Sequence, residues 1–517
     1  MKKLPIGIQT FEKIREGDFL YVDKTKQIHQ LITSGNYFFI SRPRRFGKSL
    51  TLSTIRELFS GNRELFEGLW IENQWDWNKI HPVVHIQFNE IGYATNGLEN
   101  ALNNELKRIA NHYDLALTAE SYDQKFRELL EKLAGSRGKV VVLIDEYDKP
   151  LIDYLEKEQL PTAFEHQRIL KNFYSILKSA DPHIEFLLIT GVSKFSKVSI
   201  FSDLNNLQDI TLHQRHATLV GYSQVELETN FREWINYTLA DLPQETEASL
   251  LSKIKEWYNG YTWNAKDYVY NPFSILNFFS SGAFQNFWFK TGTPTFLIKK
   301  MQEQRFFSFE DLKVNEIIFE SYSLDNLELR SLLFQTGYLT IKAIDDRGQY
   351  TLDYPNREVA ESMYNHLIGA LLHRSPLDSA RPVFQLEEAF IKNDPAKIIT
   401  VINAMLKDVP SILLSGQDEH FYHALVHLHF RYLGFFIQSE VHTSDGRMDA
   451  VVHTPDRIFL LEFKINQTAD AALKQIRDKA YSEKFATDGK EVVAIGINFD
   501  TTKKNISDWK SETPVSL

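Results

Sequence analysis

Cysteine is absent from the 517-residue sequence. This absence excludes disulfide bonds and cysteine-ligated metal sites, and it suits a reducing compartment such as the cytoplasm, where we expect the protein to be located. No apolar run approaches the roughly 18 residues that a membrane-spanning helix requires. The N-terminus carries two lysines without a long apolar stretch after them, so we expect neither a signal peptide nor an association with the membrane.

An excess of positive charge is also missing. Lysine and arginine number 58 and aspartate and glutamate 68, which gives a formal net charge of −10. This balance argues against a protein that coats nucleic acid non-specifically, but it allows a local basic groove because phosphate contacts depend on local charge. The sequence shows no internal repeat and no low-complexity run, and its length predicts three or more structural units.

The segment from Tyr37 to Leu50 has the order apolar strand, loop, Gly-Lys-Ser and helix. This order is typical of a phosphate-binding loop, where backbone N–H groups at a helix N-terminus face an anion and a lysine adds positive charge. Arg42 stands where the usual pattern has a glycine. We expect Ser49 to ligate Mg²⁺. The residues predicted to contact the nucleotide phosphates are Arg45, Phe46, Gly47, Lys48, Ser49 and Leu50.

A second apolar run ends in Asp145 and Glu146. The run predicts a buried parallel strand, and ligands bind at the C-terminal ends of such strands. We expect Asp145 to help hold Mg²⁺ and Glu146 to polarise the attacking water. The alternative is a Rossmann-like sheet with coincidental charges. Thr190 ends the next predicted strand, where it either senses the γ-phosphate or satisfies loop backbone as an ordinary strand-end hydroxyl.

Strands and helices alternate between residues 37 and 220, which predicts a parallel α/β sheet with Ala217 to Val220 as a last short strand. The stretch from Leu98 to Leu133 is helical by its spacing. Ser223 and Glu226 form a capping-box pattern that opens a helical region. A helix, a hairpin and a helix then follow around residues 326–355, an order that suggests a winged-helix-like unit.

Two strand patterns near the C-terminus carry Asp449 on one side of a turn and Glu462 with Lys464 on the other. Side chains alternate along a strand, so Glu462 and Lys464 point to the same face. Two carboxylates there can hold Mg²⁺, which activates water, while the lysine stabilises negative charge. This chemistry predicts phosphodiester hydrolysis, with Glu440 at the end of the preceding strand as a further ligand and Gln475 in contact with the site. A surface hairpin with a Glu462–Lys464 salt bridge is the alternative.

Two further patterns favour a structural role. His423 and His427 are one helical turn apart, a spacing that can clamp zinc, but Ala424 replaces the glutamate of the HExxH pattern. Aromatic residues crowd the stretch from Trp257 to Phe289, where they either stack on bases or form core. We interpret the histidines as packing groups beside the hairpin and the aromatic residues as core.

Together these motifs resemble a bacterial and archaeal family in which an AAA-ATPase-like P-loop domain is fused to a C-terminal PD-(D/E)xK nuclease domain. The resemblance covers nearly the whole chain. It rests on YVDKT (21–25), RPRRFGKSL (42–50), VVLIDEYDKPL (141–151), ITGVSKFSKVSIFSDLNNLQDITL (189–212), GYS (221–223), WYNGY (257–261), VYNPFSIL (269–276), and GRMDAVV with LLEFK (446–464).

The resemblance implies ATP binding with Lys48, Ser49, Asp145 and Glu146 in the roles given above. It implies that Arg42 is this family's form of the loop rather than a sign of decay. It also implies that Asp449, Glu462 and Lys464 form the nuclease motif, although Met448 stands where the nuclease's name has a proline.

The predicted fold class is an α/β multidomain protein with a parallel-sheet P-loop ATPase core, a helical lid, a winged-helix-like middle and a C-terminal α/β restriction-endonuclease-like domain. The predicted boundaries are 1–221 for the P-loop domain, 222–320 for the lid, 321–381 for the winged-helix-like unit, and 382–517 for a helical connector with the nuclease-like domain.

The predicted function is ATP binding and hydrolysis coupled to a metal-dependent nuclease that cleaves nucleic acid, in genome defence or mobile-element biology. The expected cofactors are ATP and Mg²⁺, with Mn²⁺ an alternative at the nuclease site. The expected partner is nucleic acid, DNA rather than RNA, and a homo-oligomer is a further expectation. One alternative function is a nucleotide-dependent switch whose C-terminal domain binds nucleic acid or a protein without cutting. Another is an ATPase that remodels a protein partner.

Overall fold

The computed structural model describes residues 1–194, 200–201, 204–289, 295–304, 312–319, 324, 327–372, 380–407, 419–434, 438–444, 447–478, 485, 489–500, 502–503 and 505–513. The chain divides into two compact units. The first comprises Met1–Phe296 and Phe309–Val359, and the second Leu297–Ser308 and Ala360–Leu517. The subdivision into four domains remains a prediction.

The strands of the first unit are β1 (Tyr37–Ser41), β2 (Val83–Gln87), β3 (Val140–Asp145), β4 (Ile184–Gly191), β5 (Gln208–Asp209), β6 (Leu312–Val314), β7 (Thr340–Ile344) and β8 (Tyr350–Asp353). Its helices are α1 (Phe11–Glu16), α2 (Thr25–Ser34), α3 (Lys48–Phe59), α4 (Tyr93–Asn96), α5 (Leu98–His112), α6 (Tyr122–Arg137), α7 (Lys149–Ile152), α8 (Leu160–Ser179), α9 (Gln224–Asn230), α10 (Arg232–Ala240), α11 (Glu247–Tyr258), α12 (Pro272–Ser281) and α14 (Leu329–Thr336).

Two helices, α13 (Thr295–Glu303) and α15 (Arg357–Leu372), have residues in both units. The remaining helices of the second unit are α16 (Arg381–Ile391), α17 (Pro395–Lys407), α18 (Glu419–Leu433) and α19 (Ala469–Asp478). Its strands are β9 (Gln438–Ser444), β10 (Arg447–His453), β11 (Arg457–Ile465), β12 (Glu491–Asp500) and β13 (Asn505–Glu512).

The first five strands form a parallel sheet in the order β2-β3-β4-β1-β5. Every residue of β1 and β3 is buried, which is the environment that continuous apolar runs require. The predicted parallel α/β sheet is therefore confirmed. Strand β4 lies between β1 and β3. The phosphate-binding loop follows β1, Thr190 lies near the end of β4, and Asp145 ends β3. All three therefore lie at the carboxyl ends of neighbouring parallel strands.

One strand predicted for this sheet is wrong. Residues 217–220 form turns rather than a strand, and the edge strand is β5, whose Asp209 pairs with Phe39. A strand of two polar residues has no apolar pattern by which the sequence could indicate it. The helical region from Leu98 to Leu133 is divided into α5 and α6 by residues 113–121, where Asp114 adopts a left-handed φ of 58°.

The helical region after the sheet has its own apolar core. The predicted capping box opens α9, with Ser223 accepting from the Glu226 N–H and Glu226 accepting from the Ser223 N–H. Side chains of α9 to α12 pack with Leu20 and Val22 from the N-terminal segment. The aromatic stretch contributes Tyr258, Tyr261, Trp263, Tyr270, Phe278 and Trp288 as buried side chains. The interpretation of this stretch as core is therefore confirmed.

A small antiparallel sheet in the order β6-β8-β7 follows. The helix α14, the hairpin of β7 and β8, and the start of α15 reproduce the helix, hairpin and helix order expected from the sequence.

The second unit contains a mixed sheet in the order β13-β12-β11-β10-β9, in which β11 and β12 are parallel and the other pairs antiparallel. Helix α19 packs Leu473 and Ile476 against Ile458, Leu460 and Ala494 of the sheet. Strand β13 pairs with β12 and forms one edge of this sheet. Among the described helices of both units, none combines the length and the apolar character that a membrane crossing requires.

Candidate nucleotide and nuclease sites

The phosphate-binding loop joins β1 to α3 through a tight turn. Arg45 has a φ of 69° and Gly47 a φ of 95°. A Cβ atom added to Gly47 would meet no atom within 4 Å, so the left-handed backbone rather than lack of space favours glycine there. The backbone N–H groups of residues 44–50 donate no hydrogen bond to any described residue. These consecutive donors at a helix N-terminus form an anion-binding concavity.

Lys48 lies at the start of α3 with a buried side chain. Its Nζ donates to the carbonyl oxygens of Arg42 at 2.9 Å and Pro43 at 3.0 Å. Burial lowers the pKa of Lys48, and the carboxylates of Glu146 and its acidic neighbours oppose this effect. The ammonium group therefore lies within the loop, close to the acids at the end of β3.

Arg42, which replaces the usual glycine, is fully buried, and its side chain links the loop to neighbouring segments. Its Nη1 donates to the carbonyl oxygens of Ser41 at 2.9 Å and Thr211 at 2.7 Å. Its guanidinium carbon lies 3.9 Å from the ring centroid of Trp263, a cation–π distance. Burial lowers the pKa of Arg42 to about 9, so the group is still charged at neutral pH. Arg42 thus ties the loop to the edge of the sheet and to the aromatic core.

Asp145 is fully buried at the end of β3. Its Oδ1 accepts a hydrogen bond of 2.6 Å from Thr190 Oγ1. Its Oδ2 is buried and has no hydrogen-bond partner among the described residues. A buried carboxylate oxygen without a described partner is a ligand that suits Mg²⁺, which prefers hard oxygen atoms. Thr190 therefore orients Asp145, and neither residue is among those that line the cleft described below.

Glu146 follows with a φ of 54°, an uncommon conformation for a non-glycine residue. Such strained backbone concentrates at functional sites. Burial raises the pKa of Glu146, and the charge of Lys48 opposes the shift. The carboxyl is thus a more basic group than an ordinary glutamate.

Asp148 is a buried acid whose importance the sequence did not indicate. Its carboxylate accepts from the N–H groups of Val192 and Ser193 and from Ser193 Oγ at 2.7 Å. A Cβ atom on Gly191 would approach the Tyr147 ring to 2.5 Å. Asp148 and the missing side chain of Gly191 therefore fix the turn that follows Thr190. The only sequence signal is a third acid in the DEYD run.

A cleft of about 390 Å³ opens beside the loop, a size within the usual range for small-molecule sites. Four cationic residues contribute to its walls, together with Glu146. They are Arg44, Arg45, Lys48 and Lys149. Gly47, Ser49 and Leu50 also line the cleft, as do Ile8, Tyr222 and Phe273, which the sequence did not indicate.

Among the residues predicted to contact nucleotide, Phe46 turns its side chain away from the cleft. Its ring packs edge-on against Tyr261 and Trp263 at centroid distances of 4.8 and 5.7 Å. Only the backbone N–H of Phe46 can therefore donate a hydrogen bond to an anion in the cleft. Ile14, Tyr21 and Leu50 contribute to a smaller apolar cavity of about 60 Å³ that shares Leu50 with the larger cleft.

In the second unit, Glu462 is fully buried on β11. Lys464 Nζ donates to Glu462 Oε1 at 2.8 Å, and Lys464 is also nearly buried. The alternative of a surface salt bridge is therefore wrong. Gln475 on α19 accepts a second hydrogen bond from Lys464 Nζ, as expected from the sequence. This three-residue network links β11 to the helix that packs on it.

Asp449 on β10 pairs with Glu462 across the antiparallel ladder and with His442 of β9 on its other side. Glu440 pairs with Val451, two residues along β10 from Asp449. Glu440 is the third residue of β9, so its predicted position at the end of the strand is wrong. The side chains of Glu440 and Asp449 lie outside the described residues.

The histidine-bearing helix α18 buries His427 and His429. His429 Nδ1 lies 2.7 Å from the Leu425 carbonyl oxygen. Burial lowers the pKa of both histidines to about 4, so both are neutral at physiological pH. These two residues therefore pack within the unit, as interpreted, while the side chain of His423 lies outside the described residues.

Comparison with known proteins finds one matching family in each of these two regions. Residues 5–201 match the family described as Predicted AAA-ATPase, and residues 417–509 match the PD-(D/E)XK nuclease superfamily. The chain therefore belongs to the family that joins a predicted AAA-ATPase domain to a C-terminal domain of the PD-(D/E)XK nuclease superfamily.

A relative of nearly equal length occurs in Azotobacter chroococcum mcd 1, where it is described as "Uncharacterized protein in vnfD 5'region". It is 37% identical over 526 residues, which cover 99% of this chain and 99% of that protein. No solved structure matches the chain.

Proposed function

We propose that the first unit binds ATP with Mg²⁺ in the cleft beside the phosphate-binding loop and hydrolyses it. The observation that carries this proposal is the convergence of four cationic residues and Glu146 on one cleft. The N–H groups of residues 44–50, which donate to no described residue, supply further donors for phosphate oxygens. A strongly cationic cleft of this size suits a nucleoside triphosphate better than a neutral ligand.

Each residue has a defined part in this proposal. The phosphates compete with two loop carbonyls for Lys48 Nζ. Ser49 and Asp145 hold Mg²⁺, which neutralises phosphate charge when it is bound. Thr190 keeps Asp145 in one orientation through its hydrogen bond. Glu146 orients the attacking water and accepts its proton, a role that its raised pKa favours.

We propose that the second unit is a nuclease that cleaves phosphodiester bonds of DNA. A buried ion pair usually costs stability relative to apolar residues, so a fully buried Glu462 bonded to Lys464 favours a functional reason for these charges. Positions opposite each other on an antiparallel ladder share one face of the sheet. Asp449 is opposite Glu462, so both positions belong to the same face.

In this proposal Asp449 and Glu462 hold Mg²⁺, or Mn²⁺ in its place, with Glu440 as a further ligand. A metal ion bound there would activate a water molecule and neutralise phosphate charge. Lys464, fixed by Gln475, stabilises the charge that develops on the phosphate. We extend the proposal to a cytoplasmic protein that acts in genome defence or on mobile elements, as a homo-oligomer.

The nuclease half is tested by incubating the full chain with duplex DNA, single-stranded DNA and RNA, with Mg²⁺ or Mn²⁺ and with or without ATP. We expect cleavage of DNA that Asp449→Ala and Lys464→Ala each abolish. Lys510→Ala removes an exposed lysine of the same sheet and should cleave like the parent chain. Absence of cleavage of every polymer, with ATP turnover intact, would overturn the nuclease in favour of a binding module that does not cut.

The ATP half is tested by measuring the affinity for MgATP by calorimetry. Lys48→Ala should abolish detectable binding, because it removes the cation held among the loop carbonyls. Lys132→Ala, a change at a partly exposed lysine of α6, serves as the control. Binding by Lys48→Ala as tight as that of the control would show that the phosphate-binding loop is wrongly assigned.

A further inference from the structure

The phosphate-binding loop is held by a residue far away in the sequence. The indole Nε1 of Trp288 donates a hydrogen bond of 3.1 Å to the carbonyl oxygen of Arg44. Trp288 is buried, with 6% of its surface exposed, and its ring packs against Tyr338 at a centroid distance of 5.2 Å. The carbonyl of Arg44 belongs to the peptide whose other half is the N–H of Arg45, the start of the turn that faces the cleft. Its orientation therefore sets the orientation of that donor.

Trp288 is in turn fixed by a buried acid. Its backbone N–H donates to Glu358 Oε1 at 2.6 Å, and the hydroxyl of Ser274 donates to Glu358 Oε2 at 2.7 Å. Glu358 is fully buried in the first turn of α15. Short hydrogen bonds to a carboxylate are among the stronger ones in proteins. The indole that reaches the loop therefore has little freedom to move.

The same region also supports the loop sterically. Gly337 follows α14 with a φ of 92°, and a Cβ atom there would lie 2.7 Å from Pro43. The glycine lets the backbone after α14 come into close contact with the loop. The backbone after α14 therefore packs directly against Pro43, the residue before Arg44. The carbonyl oxygen of Arg44 itself accepts the hydrogen bond from Trp288.

We propose that Trp288 and Glu358 are positioning residues for nucleotide binding, which hold the Arg44 carbonyl so that the loop N–H groups face the phosphates. This inference rests on the proposed ATP site. Glu358 lies in the first turn of α15, and the residues of that helix from Ala360 onward belong to the second unit. Nucleotide affinity therefore depends on the state of the α15 N-terminus, and by linkage bound nucleotide stabilises that turn.

The experiment measures MgATP affinity by calorimetry on the full chain and its variants. Trp288→Phe keeps an aromatic ring but removes the indole donor, and we expect affinity to fall about fivefold, the effect of one lost hydrogen bond. Trp77→Phe is the matched control, since Trp77 Nε1 also donates to a backbone carbonyl, that of Glu72, at 2.8 Å. The control should bind like the parent chain.

A double-mutant cycle separates positioning from general stability. Glu358→Gln keeps the shape but removes the charge, and it should weaken MgATP binding two- to threefold, about half the effect of the lost indole donor. The double variant should bind no more weakly than Trp288→Phe alone, because Glu358 acts on the loop through the indole. Thermal unfolding of each variant accompanies the binding data.

The outcomes distinguish this inference from the ATP proposal beneath it. If the parent chain does not bind MgATP, or Lys48→Ala binds equally well, the ATP site itself is wrong. If those two behave as expected but Trp288→Phe binds like Trp77→Phe, the positioning role is overturned while the ATP site stands. Additive losses in the cycle would likewise overturn it. If Glu358→Gln fails to fold, the comparison of Trp288→Phe with Trp77→Phe still decides whether Trp288 positions the loop.

Discussion

The two candidate sites differ in how their charged groups are satisfied. In the first unit, cations line an open cleft, loop N–H groups donate to no described residue, and Asp145 Oδ2 is buried without a partner. In the second unit, Lys464 bonds both Glu462 and Gln475 within the fold. The first arrangement is poised for a ligand, whereas in the second each buried charge depends on its partner. Substitutions in the first site should therefore change mainly ligand binding and turnover. Substitutions in the second site should change both catalysis and the stability of the fold.

The largest effect should come from breaking the buried pair of the second unit. Lys464→Met leaves the Glu462 carboxylate buried without its cation, which typically costs about 3–5 kcal/mol. We expect the unfolding transition of the second unit to shift by this amount in urea titrations of the full chain, followed by circular dichroism.

Two further variants sharpen that result. Lys510→Met removes the partner of Asp470 in an exposed pair on the same sheet and should cost less than about 1 kcal/mol. The double variant Glu462→Gln with Lys464→Met removes both charges and should recover most of the lost stability. A Lys464→Met chain as stable as the Lys510→Met chain would contradict the view that the buried Glu462 charge depends on Lys464.

The next effect concerns chemistry at the open cleft. Glu146→Gln keeps the size of the side chain but removes its basicity, so we expect ATP hydrolysis to fall about 10³-fold. MgATP affinity and unfolding should change little, because Glu146 lies on the cleft wall rather than in the core. Phosphate release gives the rate, and Glu90→Gln, at an exposed acid beyond β2, is the control.

The pH dependence of hydrolysis adds an independent check on Glu146. Burial raises its pKa, so on acidification the carboxylate gains its proton at a higher pH than an ordinary glutamate does. The rate should therefore decline on the acid side before other glutamates titrate. An acid limb at the ordinary glutamate pKa would contradict the proposed environment of this residue.

Acid should also destabilise the second unit through the buried histidines of α18. Burial holds the pKa of His429 at about 4 against an unfolded value of 6.5. Below pH 6.5 the unfolded chain binds the proton more tightly, so stability falls as the pH drops from 6.5 toward 4. At pH 5 this cost is on the order of 2 kcal/mol, and His429→Phe should remove it.

Urea titrations at pH 7 and pH 5 measure this difference. His112→Phe, at an exposed histidine of α5, should leave the acid loss of stability unchanged. An equal acid loss in the His429→Phe chain and the parent would show that His429 does not resist protonation.

The sequence indicated the elements whose pattern is local. Strands β1, β3 and β4 are continuous apolar runs, and the capping box at Ser223 is a four-residue signal. The edge strands β5 and β13 lack such signals, because β5 has two residues and β13 is mostly polar. An edge strand needs no strongly apolar sequence when its neighbour supplies the ladder.

Residues that act at a site through other residues were the hardest to predict. Lys48, Asp145 and Glu462 stand in recognisable runs, but Asp148 and Trp288 act through partners distant in sequence. Trp288 lies in an aromatic stretch that reads as core, and most of its ring is core. Only the fold reveals that its indole nitrogen reaches the Arg44 carbonyl.

The smallest effect tests the geometry of the loop itself. Gly47 and Gly138 both have left-handed φ values, 95° and 88°, and both have open space where a Cβ atom would stand. Alanine at either position should cost about 1 kcal/mol of unfolding free energy, since only the backbone conformation is strained. MgATP affinity should fall only for Gly47→Ala, because that turn aims the loop N–H groups. Equal affinity in the two variants would mean that the loop tolerates another backbone path, and that the cations of the cleft rather than its N–H groups hold the phosphates.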